Sequence, residues 1–438
     1  MTQNWNCSKK FVGPLVIISF LICAVFLGSM YVIRPLTAGT DQSEKLQVSA
    51  DTSPYSLEWT RTWDIENDDK IWDMVITANS TYYLAGTSTG GTIQAWLAKF
   101  HSNGTQLWNK TWSTGGAYGL AEDSSDHSLY LCGSFPNNTC LIKYNSTGSM
   151  LWNYTFGGLG TFQATDVAID KSTNSIYLVG WTNGPEEGYL IKLAANGSVL
   201  WGYEKGQYNS GVTIDSHDNV IFVTRGIHED DIDLAVGKYA SNGTCMWYYL
   251  WGRHEYGANE EAFEVAVDSN DNIYVVGYQE PLLSSDKGAA LIMKFDSNGN
   301  SMWNRTWGSP TDVAYGVQVV GTAIYVAGFH DTLPGSTDLM LLKYNSLGQL
   351  QWNLTWDASQ RDVAYCLSKD HQNNLYIGGW TNGTNYDALI LKFKASVTDG
   401  TDGIPGFQFS FALIPLVFLL GYVALRYRIS FFSGKRRI

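Results

Sequence analysis

The chain has 438 residues, with 28 basic against 41 acidic side chains, 44 glycines, 17 tryptophans and six cysteines. Eight of the basic residues sit in the two terminal segments without acidic neighbours, so residues 35–425 hold 20 basic against 41 acidic groups, a balance of −21. That charge excludes nucleic acid as a partner, and without a CxxC pair or a His cluster the sequence carries no zinc module.

Residues 1–10 are polar and end in Lys9-Lys10. Residues 11–33 form an uncharged apolar run of 23 residues. The run is long enough to span a bilayer as an α-helix and longer than the apolar core of a secretory signal. The expectation is an uncleaved transmembrane anchor. Residues 34–56 read as a polar, irregular linker.

From residue 57 the chain becomes repetitive. Its clearest unit runs over residues 262–308, AFEVAVDSNDNIYVVGYQEPLLSSDKGAALIMKFDSNGNSMWNRTWG. Four short apolar runs are separated by turn residues, and the pattern predicts four antiparallel strands. The first Trp of the fourth strand recurs at Trp59, Trp108, Trp152, Trp201, Trp247, Trp303 and Trp352. An aromatic marks each second strand (Tyr83, Tyr130, Tyr177, Phe222, Tyr274, Tyr325, Tyr376), and a Lys closes each third strand (Lys99, Lys143, Lys192, Lys238, Lys294, Lys343, Lys392). Three independent markers give seven copies at the period of propeller blades. One such sheet cannot bury its own faces; seven packed radially can. The fold expected over residues 57–396 is an all-β, seven-bladed β-propeller.

The copies begin and end in mid-unit. A fourth strand opens the array at 57–63 and a third strand ends it at 388–393. A closed ring in which these two segments pair removes both open edges. Residues 397–406 form a second linker and 407–425 a second uncharged apolar run, of 19 residues, before a basic tail at 426–438. Basic residues flank the outer side of both spans, so both ends are expected in the cytoplasm and the ring on the extracellular side of the cell membrane. The face carrying the hairpins between third and fourth strands then looks toward the membrane. The face of second-to-third-strand loops looks outward.

Loops on a rigid scaffold carry binding, so candidate ligand-binding residues are sought on the outward face. Aromatics open the second loop in four blades, at Trp181, Tyr278, Phe329 and Trp380, where they can stack on sugar rings or anchor a protein. Arg225 replaces the Gly that ends the second strand elsewhere, and with His228 it can pair with an anionic group. Carboxylates at Glu229, Asp230 and Asp231, and at the matching positions Glu260, Asp312 and Asp362, can offer oxygen ligands to Ca²⁺. Cys132 and Cys140 lie at adjoining strand ends and are expected to form a disulfide, which an exported location permits. Cys245 and Cys366 read as small packed residues. Asn-x-Ser/Thr triplets are abundant. Those at Asn109, Asn153, Asn304 and Asn353 fall on the outermost strand, where a sugar would block edge-to-edge pairing, and are the expected glycosylation sites.

The segments AVDSNDNIYVVG and LIMKFDSNGNSMWNRTWG resemble the SBBP-type seven-bladed repeat of prokaryotic surface proteins, over all seven copies. The tail Ile404-Pro405-Gly406-Phe407, with its apolar span and basic end, resembles archaeal PGF-type C-terminal sorting signals. That second resemblance implies surface anchoring. The repeat family implies no single activity. The function expected is a non-catalytic, membrane-anchored binding or adhesion module for a surface glycan or protein. The alternative is an extracellular propeller enzyme, of glycosidase or lyase type or a quinoprotein-like dehydrogenase.

Overall fold

The computed structural model describes residues 55–395, apart from short loop segments, and two short strands ahead of them, Thr37–Ala38 and Leu46–Val48. Both apolar runs, the segments 1–10 and 397–406 and the basic tail lie outside the described residues. Among the described residues, no helix is long and apolar enough to cross a membrane.

Seven antiparallel sheets form the fold; five keep the strand order of the sequence, and two, blades six and seven, add N-terminal strands at their outer edges. Blade one holds Asp69–Ile76, Tyr82–Thr89, Ile93–Phe100 and Gln106–Trp112. Blade seven takes three strands, Asp362–Lys369, Leu375–Asn382 and Tyr386–Ala395, from the end of the array. Its fourth strand is Tyr55–Asp64, in the register Leu57↔Phe393, Trp59↔Lys392 and Trp63↔Ala388. The ring is therefore closed by its own N-terminal strand, as the half-units at either end of the array require. The innermost strands of blades seven and one, Asp362–Lys369 and Asp69–Ile76, meet at the seam.

Segment 34–56 is not wholly irregular. Thr37–Ala38 pairs with the outer edge of blade seven and Leu46–Val48 with that of blade six. Both cover an otherwise open row of backbone donors and acceptors.

The core lies between blades rather than within them. Among the described residues there are seven apolar clusters, and each joins the facing sides of two neighbouring blades. At the seam, Trp59, Trp63, Tyr376 and Ile390 of blade seven meet Ile71, Tyr82, Leu84 and Phe100 of blade one. Five of the fourth strands carry two indoles four residues apart, and each pair shares a face, as that spacing at period two demands. Burying each such side chain contributes about 1.5–3 kcal/mol.

A polar stitch repeats beside this core. In four blades the Lys that closes the third strand donates to the hairpin carbonyl of the next blade: Lys99 to Ser146 (2.9 Å), Lys192 to Ser241 (3.0 Å), Lys238 to Ser297 (2.9 Å) and Lys294 to Ser346 (3.2 Å). The Lys294 ammonium also lies 5.2 Å from the ring centre of Tyr274, within cation–π range. The indole of Trp303 donates to the same Ser346 carbonyl at 3.2 Å. In these blades the sequence markers act as one device that fastens a blade to its successor, whereas Lys143 pairs with Asp126 and Lys392 with Glu58 of their own blades.

Candidate functional site

Every innermost strand carries a β-bulge at the same place. In blade one, Ile71 pairs with Gly86 and Asp73 with Ala85, which leaves Trp72 as the extra residue. The same shift recurs in the other six blades. A bulge turns its extra side chain out of the ladder and re-aims its neighbour. The extra residues are Trp72, Tyr118, Thr165, Phe263, Tyr315 and Tyr365, with Ser210 at the matching place in blade four.

Five of these seven are aromatic, and their rings touch in series from blade to blade. Phe263 meets Tyr315 at 4.8 Å and Tyr315 meets Tyr365 at 5.0 Å. Tyr365 stacks on Trp72 at 4.4 Å, and Trp72 meets Tyr118 edge-on at 5.8 Å. They form a crescent around the ring axis over blades five, six, seven, one and two. Blades three and four complete the circle with the small residues Thr165 and Ser210.

The residue after each bulge alternates: Asp73, Gly119, Asp166, Gly211, Glu264, Gly316, and then Cys366. Carboxylates stand on blades one, three and five. A Cβ on Gly119 would fall 2.8 Å from the Asp166 Cα, and one on Gly211 3.0 Å from the Glu264 Cα. Glycine at these places lets the next acid-bearing strand approach. Asp73 accepts hydrogen bonds from its neighbour Met74 N (2.7 Å) and from Leu120 N of the next blade (2.6 Å). Asp166 does the same with Val167 N (2.7 Å) and Val212 N (2.8 Å). Glu264 accepts from Val265 N through Oε1 (2.8 Å), which leaves Oε2 without a hydrogen bond.

These groups lie deep in the protein and keep only part of their surface open. Depth penalises the charged form. Burial pushes the Asp73 carboxyl up to about 7 although the two backbone donors oppose it. Burial carries Glu264 to about 8, with the charge of Asp73 adding to the effect. Asp166 is held well above the carboxylate range by burial and then by the charges of Glu264 and Asp73. Groups on alternate blades influence one another in this way because they face one axis. No cation pairs with any of the three among the described residues.

Residues expected on the outward face gather above this layer. Trp181 is half-exposed and packs on Tyr208 at 5.1 Å. The Arg225 guanidinium lies 4.6 Å from the centre of the same Tyr208 ring and donates to Glu261 Oε2 at 2.6 Å. Tyr278 pairs with Glu261 across the sheet and stays partly open. Phe329 approaches Tyr315 of the crescent at 6.2 Å. Trp380 is different: it is buried against Tyr386 at 4.5 Å, and Lys70 lies over both rings. His228 pairs with Asp231 through the backbone.

The carboxylates expected to hold Ca²⁺ are dispersed. Glu229 and Asp230 lie outside the described residues. Glu260, Asp312 and Asp362 are fully buried, one to a blade, and do not converge on one point. Asp312 accepts from Ser309 N (2.9 Å), Asp331 N (2.9 Å) and His330 Nδ1 (2.6 Å), and Asp362 accepts from Ala358 N (2.8 Å). Asp312 and Asp362 therefore cap loops. Among the described residues, Asp215, His217 and Asp271 bring three possible metal ligands within 4.8 Å of one another. Asp215 already lies 2.7 Å from the Lys238 ammonium, so its charge is not spare.

The expected disulfide is absent. Cys132 and Cys140 are both free and buried. Cys132 pairs with Leu141 and Cys140 with Gly133, an offset of one residue that turns the two thiols to opposite faces of blade two. They consequently join different clusters, Cys140 with blade one and Cys132 with blade three. Cys366 is also free and buried, whereas Cys245 is disulfide-bonded rather than simply packed. Of the expected glycosylation sites, Asn153 and Asn304 are exposed, Asn109 and Asn353 half-buried, and Leu46–Val48 runs beside Asn353.

No family model matches the chain, and no curated protein matches it in sequence. Solved structures do. A chain of Kuenenia stuttgartiensis hydrazine synthase aligns with a TM-score of 0.54 at 9% identity, over 70% of this chain and 92% of that one. The Dos1 propeller aligns at 0.49 and 9% identity, over 74% and 78% of the two chains. The C-terminal WD40 domain of Sif2 aligns at 0.45 and 10% identity, over 83% and 99%. At such identities the likeness concerns the fold alone. The seven-bladed ring is the part of the SBBP-type resemblance that the structure supports; the PGF-type tail lies outside the described residues.

Proposed function

We propose that this protein is a membrane-held, cell-surface propeller that binds a glycan or protein partner at the outward mouth of its ring without turning it over. One observation carries the reading: partly open aromatic and charged side chains concentrate where the innermost strands reach that face. Trp181 with Tyr208, Arg225 with Glu261, and Tyr278 belong to this group. Aromatic rims of this kind provide rigid contact area at low entropic cost. Attachment to the membrane is argued from the two uncharged runs and their basic flanks.

The test uses the full chain in lipid nanodiscs, presented to arrays of glycans and of surface proteins. Capture is expected, and Trp181→Ala with Tyr208→Ala should weaken it at least tenfold while the melting temperature holds. Undiminished capture by the double variant would remove the mouth from the proposal. Topology is checked on intact cells: external protease should digest the ring and spare the basic tail.

The carboxyls of Asp73 and Glu264 favour a second reading. An acid that keeps its proton near neutral pH suits general-acid work on a glycoside. Turnover of a polysaccharide library that disappears in Glu264→Gln would replace the binding module with an enzyme.

A further inference from the structure

We propose that the ring axis is a cage for an alkylammonium group, with the aromatic crescent as its wall and Asp73, Asp166 and Glu264 as its counter-charge. The inference rests on the binding-module reading and names the chemistry that its site selects.

Three observations converge on it. Trp72, Tyr315 and Tyr365 stand in contact around the axis, each partly open. Ring faces attract cations, and the attraction grows where water is excluded. Directly beside the crescent lie three deep carboxylates with no cationic partner among the described residues, one of which keeps Oε2 unbonded. Lys70, the cation nearest along the chain, lies over Trp380 (5.3 Å), Tyr386 (5.2 Å) and, farther off, the crescent's own Trp72 (6.0 Å), but pairs with none of the three carboxylates. Arg225 is already engaged by Glu261 at 2.6 Å. An uncompensated buried charge is costly, and such groups are made neutral either by protons or by a bound cation.

The spacing selects the kind of cation. Ligand atoms of the three carboxylates do not come together within the 4.8 Å that groups Asp215, His217 and Asp271. Bare metal coordination needs oxygens converging at about 2.3–2.6 Å on one ion. An ammonium on an alkyl stem needs less convergence. Its charge satisfies carboxylates a few ångströms apart while its methylenes lie on the rings. Thr165 and Ser210 are the smallest side chains of this layer, at blades three and four. The same chemistry can arrive as a free polyamine or as the lysine side chain of a protein partner.

Binding should release protons, because the carboxyls share protons when no cation is present. Among the described residues, the thiols of Cys132 and Cys366 feel the charges of these carboxylates, and the phenols of Tyr118, Tyr315 and Tyr365 occupy the adjoining bulge positions. Burial raises all five, so they stay protonated at neutral pH.

The experiment is calorimetry on the full chain in nanodiscs at pH 7.5, in two buffers of different ionisation enthalpy. The probes are spermidine, a lysine-bearing peptide and the same peptide acetylated on its lysines. The expected result is binding of at least one charged probe with net proton release, no binding of the acetylated peptide, and a tenfold or greater loss in Glu264→Gln. Asp73→Asn serves as a second variant with the same expectation. Which charged probe binds distinguishes polyamine from protein. Equal binding of the acetylated peptide, or unaltered affinity in both variants, would overturn the cation cage and leave the outward mouth standing. Failure of both charged probes would overturn it too, and array capture at the Trp181 side would then decide the broader reading separately.

Discussion

The indole of Trp303 in blade five packs on Gly348 of blade six so closely that a Cβ there would fall 2.7 Å from the ring. Gly348 also has a φ of +73°, which side-chain-bearing residues adopt at a cost. Gly348→Ala should therefore meet two penalties, an overpacked indole and a strained backbone, together about 2–4 kcal/mol. Gly335 has a φ of +88° and nothing within 4 Å of its missing Cβ, so Gly335→Ala should meet only the backbone penalty. Thermal unfolding of both variants checks the difference; equal losses would mean that the indole contact contributes nothing.

Removing residues 55–64 should do more than delete one strand. It exposes the edge of Tyr386–Ala395 and takes away Trp59 and Trp63, both buried at the seam between blades seven and one. Losing either indole alone costs about 3–5 kcal/mol, and an open edge invites pairing between chains. The deletion variant is expected to aggregate on size-exclusion chromatography. A monomer that melts cooperatively would show that the ring does not depend on its clasp.

The axial carboxyls give stability a pH dependence of definite sign. Their folded pKa values are raised, so between the unfolded value near 4 and the folded values of about 7 and 8 the native state holds more protons than the unfolded one. Stability contributed through these groups falls as pH rises across that window. Glu264→Gln removes one of them and should gain in melting temperature over the native chain between pH 5 and pH 9. Parallel melting curves at both pH values would contradict the raised carboxyl.

His330 shifts stability in the same direction with pH, but through a charge that the fold stabilises rather than one that it penalises. Its Nδ1 meets Asp312 at 2.6 Å; that bond raises the imidazole pKa against the lowering effect of burial. The stabilisation is full below the ordinary histidine value near 6.5 and is lost as pH climbs through the raised one. His330→Gln should cost stability at pH 5.5 and much less at pH 9, as read by denaturant unfolding at the two pH values.

Sugar attachment should follow exposure. Asn153 and Asn304 are open on the outer strands, whereas Asn353 is half-buried beside Leu46–Val48. Glycopeptide mass spectrometry of the protein from its own cells should find higher occupancy at the first two. Equal occupancy of Asn353 would mean that the covering strand leaves before modification.

The ring was legible because its recurring residues have few substitutes. A hairpin with positive φ asks for glycine, an interface between blades asks for a large flat ring, and both recur at blade spacing. The half-units at each end disclosed the clasp between Leu57 and Phe393. The axis was harder to read. Asp73, Asp166 and Glu264 lie 93 and 98 residues apart, and each looks like an ordinary polar residue in its own strand. Setting Asp166-Val-Ala-Ile-Asp170 over Glu264-Val-Ala-Val-Asp268 exposes the alternation with Gly119, Gly211 and Gly316, so a signal was present. The bulges were invisible, because one extra residue in a six- to eight-residue strand falls within the ordinary scatter of strand length. Cys132 and Cys140 misled for a related reason: closeness along a hairpin does not set facing, and an odd register offset separates them.

The extra residue in each innermost strand stands outside the hydrogen-bonded ladder. Trp72 can change without disturbing the pairing of Ile71 with Gly86 or of Asp73 with Ala85, and the same freedom holds at Tyr118, Phe263, Tyr315 and Tyr365. Masonry and furnishing are thereby uncoupled. A lineage that inherits this rotor can exchange what its lumen grips, one sector at a time, and keep the same wall.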